Sequence, residues 1–214
     1  MKVLGLDTST FTSGIAVVDD GKLLAEARHD ASGQKSDLLV AIDDVCKRAG
    51  VAPLELDAIA VGAGPGSFTG LRIGMATAKG IAFASGKPLW AVSSLAALAH
   101  GHPGFVVAVL DARKSEVYAG CYLDGALVGS ERVLPPSNVA AWVAELAAAR
   151  PVAYVGDMLA PEVTTPSGAA VAWLALAGNR VDVVTEAAPS YIRKAEAEVM
   201  YPDGVPGALP RRDP

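Results

Sequence analysis

An α/β fold made of two related halves, each a β-meander followed by a helix, is what this sequence predicts, and three observations predict it. The first is the start of the chain. Lys2 to Leu6 is a short apolar run ending in Asp7, hydroxyl residues follow from Thr8 to Ser13, and Ile15 to Val18 is apolar again before the turn Asp19-Asp20-Gly21. Apolar runs joined by tight turns, with Asp-Gly at the second, describe antiparallel strands. The second observation is that the pattern returns. Phe105 to Leu110 ends in Asp111, the polar run Ala112 to Glu116 gives way to Val117 to Tyr122, and Leu123-Asp124-Gly125-Ala126-Leu127-Val128 echoes Val18 to Leu24. The two aspartates lie about a hundred residues apart, a domain-sized interval rather than a solenoid period. The third is the glycine-rich stretch from Gly62 to Gly74, which follows the apolar run Ala58 to Val61 and leads into Met75 to Ala84. Strand, glycine loop and helix is the connection expected within an α/β unit.

The elements between these landmarks follow in order. Lys22 to Arg28 completes the first meander. Ser36 to Arg48 carries apolar residues at Leu38, Leu39, Ile42, Val45 and Cys46, which is helical periodicity. Asp57 to Ala63 reads as a strand, and the helix after the glycine loop is expected to be capped by Ser67 or Thr69. Pro88 to Val92 is a short strand and Ser93 to His100 a short helix, capped by Ser93 or Ser94. Gly101-His102-Pro103-Gly104 is dense in turn formers and marks the boundary, giving a first subdomain of residues 1–100 and a second of 104–200. In the second half, Asn138 to Ala149 is an alanine-rich helix with Ser137 as its cap, Val152 to Val155 a strand and Gly168 to Ala177 a helix. Residues 201–214 hold Pro and Gly without apolar pattern and are expected to be a flexible tail.

Composition narrows the function classes. The chain has 214 residues, 51% of them hydrophobic, and a formal net charge of −5. That charge argues against a large electrostatic footprint for nucleic acid, which needs clustered Lys and Arg. An acidic chain can still meet RNA through a partner. Cys46 and Cys121 form no Cys-x-x-Cys pair, so neither a disulfide framework nor a thiolate zinc site is expected. The apolar run after Lys2 is interrupted by Asp7 too soon for a signal sequence, and no run is long enough to span a bilayer, so a cytoplasmic protein is expected.

Four motifs together closely resemble the bacterial TsaB family: Asp7-Thr8-Ser9, Gly64-Pro65-Gly66-Ser67-Phe68-Thr69-Gly70-Leu71-Arg72-Ile73-Gly74, Ser93-Ser94-Leu95 and Pro189-Ser190-Tyr191-Ile192-Arg193-Lys194. The likeness runs to about residue 200. It implies the duplicated actin/Hsp70/sugar-kinase (ASKHA) type of fold, in agreement with the internal repeat. It also implies a part in forming N6-threonylcarbamoyladenosine at position 37 of tRNAs. In that family the chain is a non-catalytic partner of a larger paralogue, TsaD, which holds the metal and transfers the threonylcarbamoyl group. An ATPase, TsaE, joins the pair, tRNA is met only through the complex, and a homodimer is possible when the chain is alone. No cofactor or metal is implied for this subunit.

Each chemical feature also has a plainer reading. Folds of this class hold phosphates with two hairpins whose Asp is followed by Gly and hydroxyl residues. Here Asp7-Thr8-Ser9-Thr10 lacks the glycine, and Asp111-Ala112-Arg113 has Arg where a close approach would want Gly. Asp7, Thr8, Ser9 and Asp111 are therefore read as vestigial nucleotide-binding turns, and Gly156-Asp157 is a lone candidate for an adenine contact. The alternative is a small-molecule kinase or ATPase of the same fold. The glycine loop fails both phosphate motifs: no Gly-Lys-Ser/Thr ends it, and Gly70 stands one place late for Gly-x-Gly-x-x-Gly. A metal site finds only His29, His100 and His102, none paired at helical spacing, and Gln34-Lys35-Ser36 stands where many TsaB chains carry a His. Ser67 has no Gly-x-Ser-x-Gly context, so a peptidase reading has no support either.

What remains is a stripe of small residues. Gly70, Gly74, Ala78 and Ala82 recur every four residues, with Thr77 and Ile81 at its edge. Helix-interior glycine costs about 1 kcal/mol relative to Ala, so two of them need a packing reason. Either the stripe packs on the chain's own sheet or the 36–48 helix, or it faces another subunit. The family resemblance favours the second, making Gly70, Arg72, Gly74, Thr77, Ala78 and Ile81 the expected partner interface, with Arg72 as its polar contact.

Overall fold

The computed structural model describes residues 1–30 and 38–182. Its first half runs β1 (Lys2–Asp7), β2 (Thr12–Asp19), β3 (Lys22–Asp30), α1 (Leu38–Ala49), β4 (Ala58–Gly62), α2 (Phe68–Ser85), β5 (Leu89–Val92) and α3 (Ser94–Ala99). The second runs β6 (Phe105–Arg113), β7 (Glu116–Leu123), β8 (Ala126–Leu134), α4 (Pro136–Ala147), β9 (Val152–Gly156), α5 (Gly168–Leu176) and β10 (Val181–Asp182). Strand order repeats. The first sheet reads β10-β5-β4-β1-β2-β3 and the second β8-β7-β6-β9, so β8-β7-β6-β9 copies β3-β2-β1-β4. In both copies the meander is antiparallel and the next strand joins it in parallel. This is the duplicated α/β fold of the actin/Hsp70/sugar-kinase type. β1 and β4 are buried along nearly their whole length, which explains why they read as short continuous apolar runs rather than alternating ones.

Each sheet is covered on both faces. On the first, α1 and α2 bury Ile42, Val45, Met75 and Ala78 against Leu4, Leu6, Ile15 and Ile59. The opposite face carries α5, whose Val171 and Leu174 pack with Val3, Val18 and Trp90. On the second, α4 places Val139, Trp142 and Val143 over Val107, Val109 and Cys121. Its other face takes α3, through Leu95 and Leu98 against Val106, Leu110 and Tyr122. The halves therefore exchange helices: α3 follows the first sheet in sequence but packs on the second, and α5 does the reverse. Gly5, Gly14 and Gly168 permit the closest part of this exchange, since a Cβ on any of them would stand within 3.0 Å of backbone across the contact. The 101–104 turn is a boundary in chain order, and each half lends the other part of its core.

Several local expectations need adjustment. α2 begins at Phe68 rather than Met75, with Ser67 as its cap: Ser67 Oγ accepts from the Gly70 N–H at 3.3 Å. Ser93, not Ser94, caps α3 by accepting from the Ala96 N–H at 3.1 Å. α4 starts at Pro136, which occupies a first-turn position that needs no N–H, so Ser137 lies inside the helix and caps nothing. The Gln34-Lys35-Ser36 stretch, the Pro189 to Lys194 motif and the tail 201–214 lie outside the described residues.

Candidate functional site

The site forms where β1 ends. Asp7 is fully buried, and its neighbours Thr8 and Ser9 nearly so. Burying a carboxyl is costly unless its oxygens are hydrogen-bonded, and all the partners here are neutral. The Ser9 N–H and hydroxyl donate to Asp7 Oδ1 at 2.8 and 2.6 Å. The Ser94 hydroxyl donates to Oδ2 at 2.6 Å. Burial pushes the Asp7 carboxyl above its ordinary range, and the bonds from Ser9 and Ser94 pull it partly back. Ser94 is itself fully buried and tied to the glycine loop twice. Its Oγ accepts from the Gly64 N–H at 3.2 Å, and its own N–H donates to the Gly64 carbonyl at 2.8 Å. The Gly64–Pro65 peptide is cis, and Gly64 sits at φ 103°, a conformation that requires glycine.

The loop then folds down over the hairpin. The Ser67 N–H donates to the Ser9 carbonyl at 2.7 Å, and the Thr8 hydroxyl donates to the Gly70 carbonyl at 2.8 Å. Four glycines at four-residue intervals make this approach possible. A Cβ on Gly62 would strike the Asp7 carboxylate, one on Gly66 would lie 2.5 Å from Ser9 Cβ and its carbonyl, and ones on Gly70 and Gly74 would strike the Thr8 carbonyl and Thr8 Oγ1. The periodicity noticed at 70 and 74 thus starts eight residues earlier and has one cause. The backbone of loop 62–74 lies directly against hairpin Asp7-Thr8-Ser9, meeting its backbone at Gly66 and Gly70 and its side chains at Gly62 and Gly74.

This corrects the expectation for the small-residue stripe. Gly74 and Ala78 are buried, and Ala78 and Ala82 belong to the core of the first sheet. Gly70, Thr77 and Ile81 are half-buried along its margin. The physical reason is that α2 lies on its own hairpin and sheet, which take up the smooth side. Of the six residues expected at a partner interface, only Arg72 is exposed; its guanidinium stacks 3.9 Å from the Phe68 ring centroid. The outward side of α2 also carries Thr69, Ala76, Lys79, Gly80 and Phe83, the last with 92% of its surface exposed.

The second hairpin is built differently. Asp111 is partly exposed; its Oδ1 accepts from the Arg113 N–H at 2.7 Å, and its Oδ2 pairs with Arg113 Nη1 at 3.1 Å. The Asp111 N–H donates to Asp157 Oδ1 at 2.9 Å, and burial raises the Asp157 carboxyl. Arg113, Lys114 and Ser115 all have φ between 53° and 63°. Gly156 packs closely on β6, since a Cβ there would strike the Val109 carbonyl. The Arg113 guanidinium reaches the Phe11 ring at 5.0 Å, bringing the two hairpin tips together. No group of three or more His, Cys, Asp or Glu positioned for a metal occurs among the described residues. None of their helices is long and apolar enough to cross a membrane.

Geometry thus defines a class: a protein of the duplicated actin/Hsp70/sugar-kinase type whose first hairpin, Asp7-Thr8-Ser9, is packed against its own glycine loop. A family model described as "TsaD: tRNA N6-adenosine threonylcarbamoyltransferase" matches residues 30–149. The tRNA threonylcarbamoyladenosine biosynthesis protein TsaB of Bacillus subtilis is 32% identical over 94% of this chain and 98% of its own length. A protein of Mycobacterium leprae is 35% identical over 95% of this chain, which spans 58% of that protein's length. Among solved structures, a Pseudomonas aeruginosa protein described as similar to the peptidase YeaZ superposes with a TM-score of 0.76 at 35% identity, covering 90% of this chain and 99% of that one. The chain belongs to the TsaB family.

Sequence reasoning found Asp7, Thr8 and Ser9 and read them as vestigial turns, but missed Ser94 as the partner of Asp7. Ser94 was visible as a helix-cap candidate and as part of the Ser93-Ser94-Leu95 motif, neither of which points to Asp7. The available signal is the doubling of serine, since one hydroxyl suffices for the cap.

Proposed function

We propose that this chain is a non-catalytic partner subunit in the formation of threonylcarbamoyladenosine in tRNA, and that it binds a TsaD-type paralogue through the outward face of α2. The observation that carries the reading is the buried first hairpin, packed against the glycine loop. The Ser9 N–H, a donor that a phosphate would need, is given to Asp7 Oδ1, and Thr8 and Ser9 pack directly against residues 66–74. A chain that spends its ancestral ligand seat on its own packing is suited to act through a surface. Membership of the TsaB family and the match to a TsaD model support a heterodimer of like-folded chains. In this reading a TsaE-type ATPase and tRNA join through the complex, which accommodates a net charge of −5. The helix surface available for docking is Arg72, Ala76, Lys79, Gly80 and Phe83, in place of the buried stripe. An aromatic and an arginine are residue types that dominate interface energetics.

The test is to mix the chain with its TsaD partner and measure complex formation and tRNA modification. The double variant Arg72→Glu, Phe83→Asp is expected to weaken the complex by about tenfold or more, with an unchanged melting temperature. A complex that forms undiminished would sink the α2 surface. No complex with the unaltered chain would sink the partner reading.

A further inference from the structure

We infer that Glu131 is a positioning residue of the glycine loop, acting from the opposite half of the molecule through the serine pair Ser93-Ser94. Glu131 lies on β8, in the second sheet. Its Oε1 accepts from the Tyr122 hydroxyl at 2.7 Å and from the Ser93 hydroxyl. Ser93 Oγ is also the cap of α3, so the carboxylate of one half holds the first turn of a helix contributed by the other. The next residue along, Ser94, faces the other way. Its hydroxyl donates to Asp7 Oδ2, and its main chain and side chain exchange two hydrogen bonds with Gly64. Two adjacent serines therefore join two networks: Glu131 and Tyr122 on the second sheet, Asp7 and the glycine loop on the first.

The reason for assigning a positioning role lies in what each group has left to bond with. The Ser93 hydroxyl accepts from the Ala96 N–H and has one proton to give, and that proton goes to Glu131. The Ser94 hydroxyl accepts from the Gly64 N–H and gives its proton to Asp7. Each hydroxyl's proton is committed, so the start of α3 is held from both sides. α3 has only six residues and packs on the second sheet, while the loop it steadies belongs to the first. A six-residue helix is too short to hold its own geometry. Removing the acceptor at Glu131 takes away the charged partner of the Ser93 hydroxyl, which keeps only the Ala96 N–H and the Tyr122 hydroxyl beside it, so the start of the helix is freer to move, and Gly64 with it. This holds whichever partner the outward face of α2 meets.

Amide exchange measured residue by residue by NMR tests the assignment. In Glu131→Ala, the Gly64 and Ser94 amides are expected to exchange about five- to tenfold faster, while amides in α1 and β3 stay as in the unaltered chain. Glu131→Gln keeps an acceptor oxygen and is expected to restore protection. Tyr122→Phe removes the other donor to Glu131 but leaves the Ser93 bond, so loop exchange is expected to stay within about twofold. Should Glu131→Ala fail to fold, Ser93→Asp serves the same purpose. Asp caps a helix as well as Ser does but sets a carboxylate against Glu131, so the same loop acceleration is expected. Unchanged exchange at Gly64 and Ser94 in either folded variant overturns the assignment, and so does an equal acceleration in Tyr122→Phe, which would indicate general loosening of the second sheet.

Discussion

The two hairpins of this molecule started from one pattern, an apolar strand ending in Asp and followed by a polar turn, and they ended in opposite states. The first, Asp7-Thr8-Ser9, is buried, has all its side-chain oxygens hydrogen-bonded, and is pressed against the glycine loop. The second, Asp111 to Ser115, is partly exposed; its aspartate is satisfied by the Arg113 beside it, and its turn uses three non-glycine residues at positive φ. The difference shows what a duplicated fold can do with a redundant site. One copy was converted into core. The other lies nearer the surface, where Arg113 stands at the position that a close approach would demand of Gly, reaching the Phe11 ring of the first hairpin.

The largest expected contrast comes from deleting the two carboxylates. Asp7→Ala leaves the Ser9 and Ser94 hydroxyls and the Ser9 N–H facing a buried space without an acceptor, and each unsatisfied buried donor costs about 1–3 kcal/mol. A loss of about 3–5 kcal/mol by urea unfolding is expected, allowing for partial rearrangement. Asp111→Ala removes a solvent-screened ion pair and is expected to cost under about 1 kcal/mol. Equal losses at the two positions would mean that the first hairpin is no more part of the core than the second.

Overpacking sharpens the same comparison from the glycine side. Gly70→Ala puts a methyl group against the Thr8 carbonyl, which is backbone and cannot step aside. Overpacking of this kind costs about 1–3 kcal/mol, read as a lower urea midpoint. Gly74→Ala meets a side-chain oxygen instead and is expected to cost less, because Thr8 can turn at the expense of its bond to the Gly70 carbonyl. Gly70→Ala tolerated without loss would show that loop and hairpin are not in the close contact described.

Much of this was legible in the sequence, and the omissions share a cause. The duplication could be read because an apolar run ending in Asp and an Asp-Gly turn are local signals, and they recur at Asp111 and Gly125. The helix exchange could not, because α3 and α5 carry apolar residues that suit either sheet. Periodicity says that a face is buried and is silent about what buries it. The same limit explains the stripe at Gly70, Gly74 and Ala78. Its four-residue interval announced close packing, but the partner of Gly70 and Gly74 proved to be Thr8, sixty-two residues before Gly70 in the chain, and that of Ala78 the first sheet. Ser94 escaped for a related reason, since a long-range bond to Asp7 leaves no trace in spacing.

Acid titration gives a smaller effect with a definite sign. Asp7 has its carboxyl raised above 3.8 by burial, so over the window between that value and the raised one the native state binds more protons than the unfolded chain. Stability from this group is fully present below the unfolded value and is lost as pH rises through the folded one. Asp7→Asn has no such titration. Its stability relative to the unaltered protein is therefore expected to improve steadily from about pH 4 upward until Asp7 is fully ionised. Parallel stability profiles for the two proteins would mean that Asp7 is not desolvated.

The smallest expected effect comes from a third glycine on the same helix and runs in the opposite direction. Gly80 lies on the outward side of α2, and a Cβ added there meets nothing within 4 Å. Gly80→Ala therefore removes backbone freedom from the unfolded chain without any clash in the folded one, and is expected to stabilise by about 0.5–1 kcal/mol. In thermal unfolding this appears as a higher midpoint. The sign matters more than the size. Three glycines on one helix, two facing Thr8 and one facing outward, are chemically the same substitution, so opposite signs at 70 and 80 isolate the hairpin contact from helix propensity. If Gly80→Ala leaves stability unchanged but weakens the TsaD complex, a close backbone approach on the outward face is the reason this glycine is kept, and the docking surface of α2 runs through it.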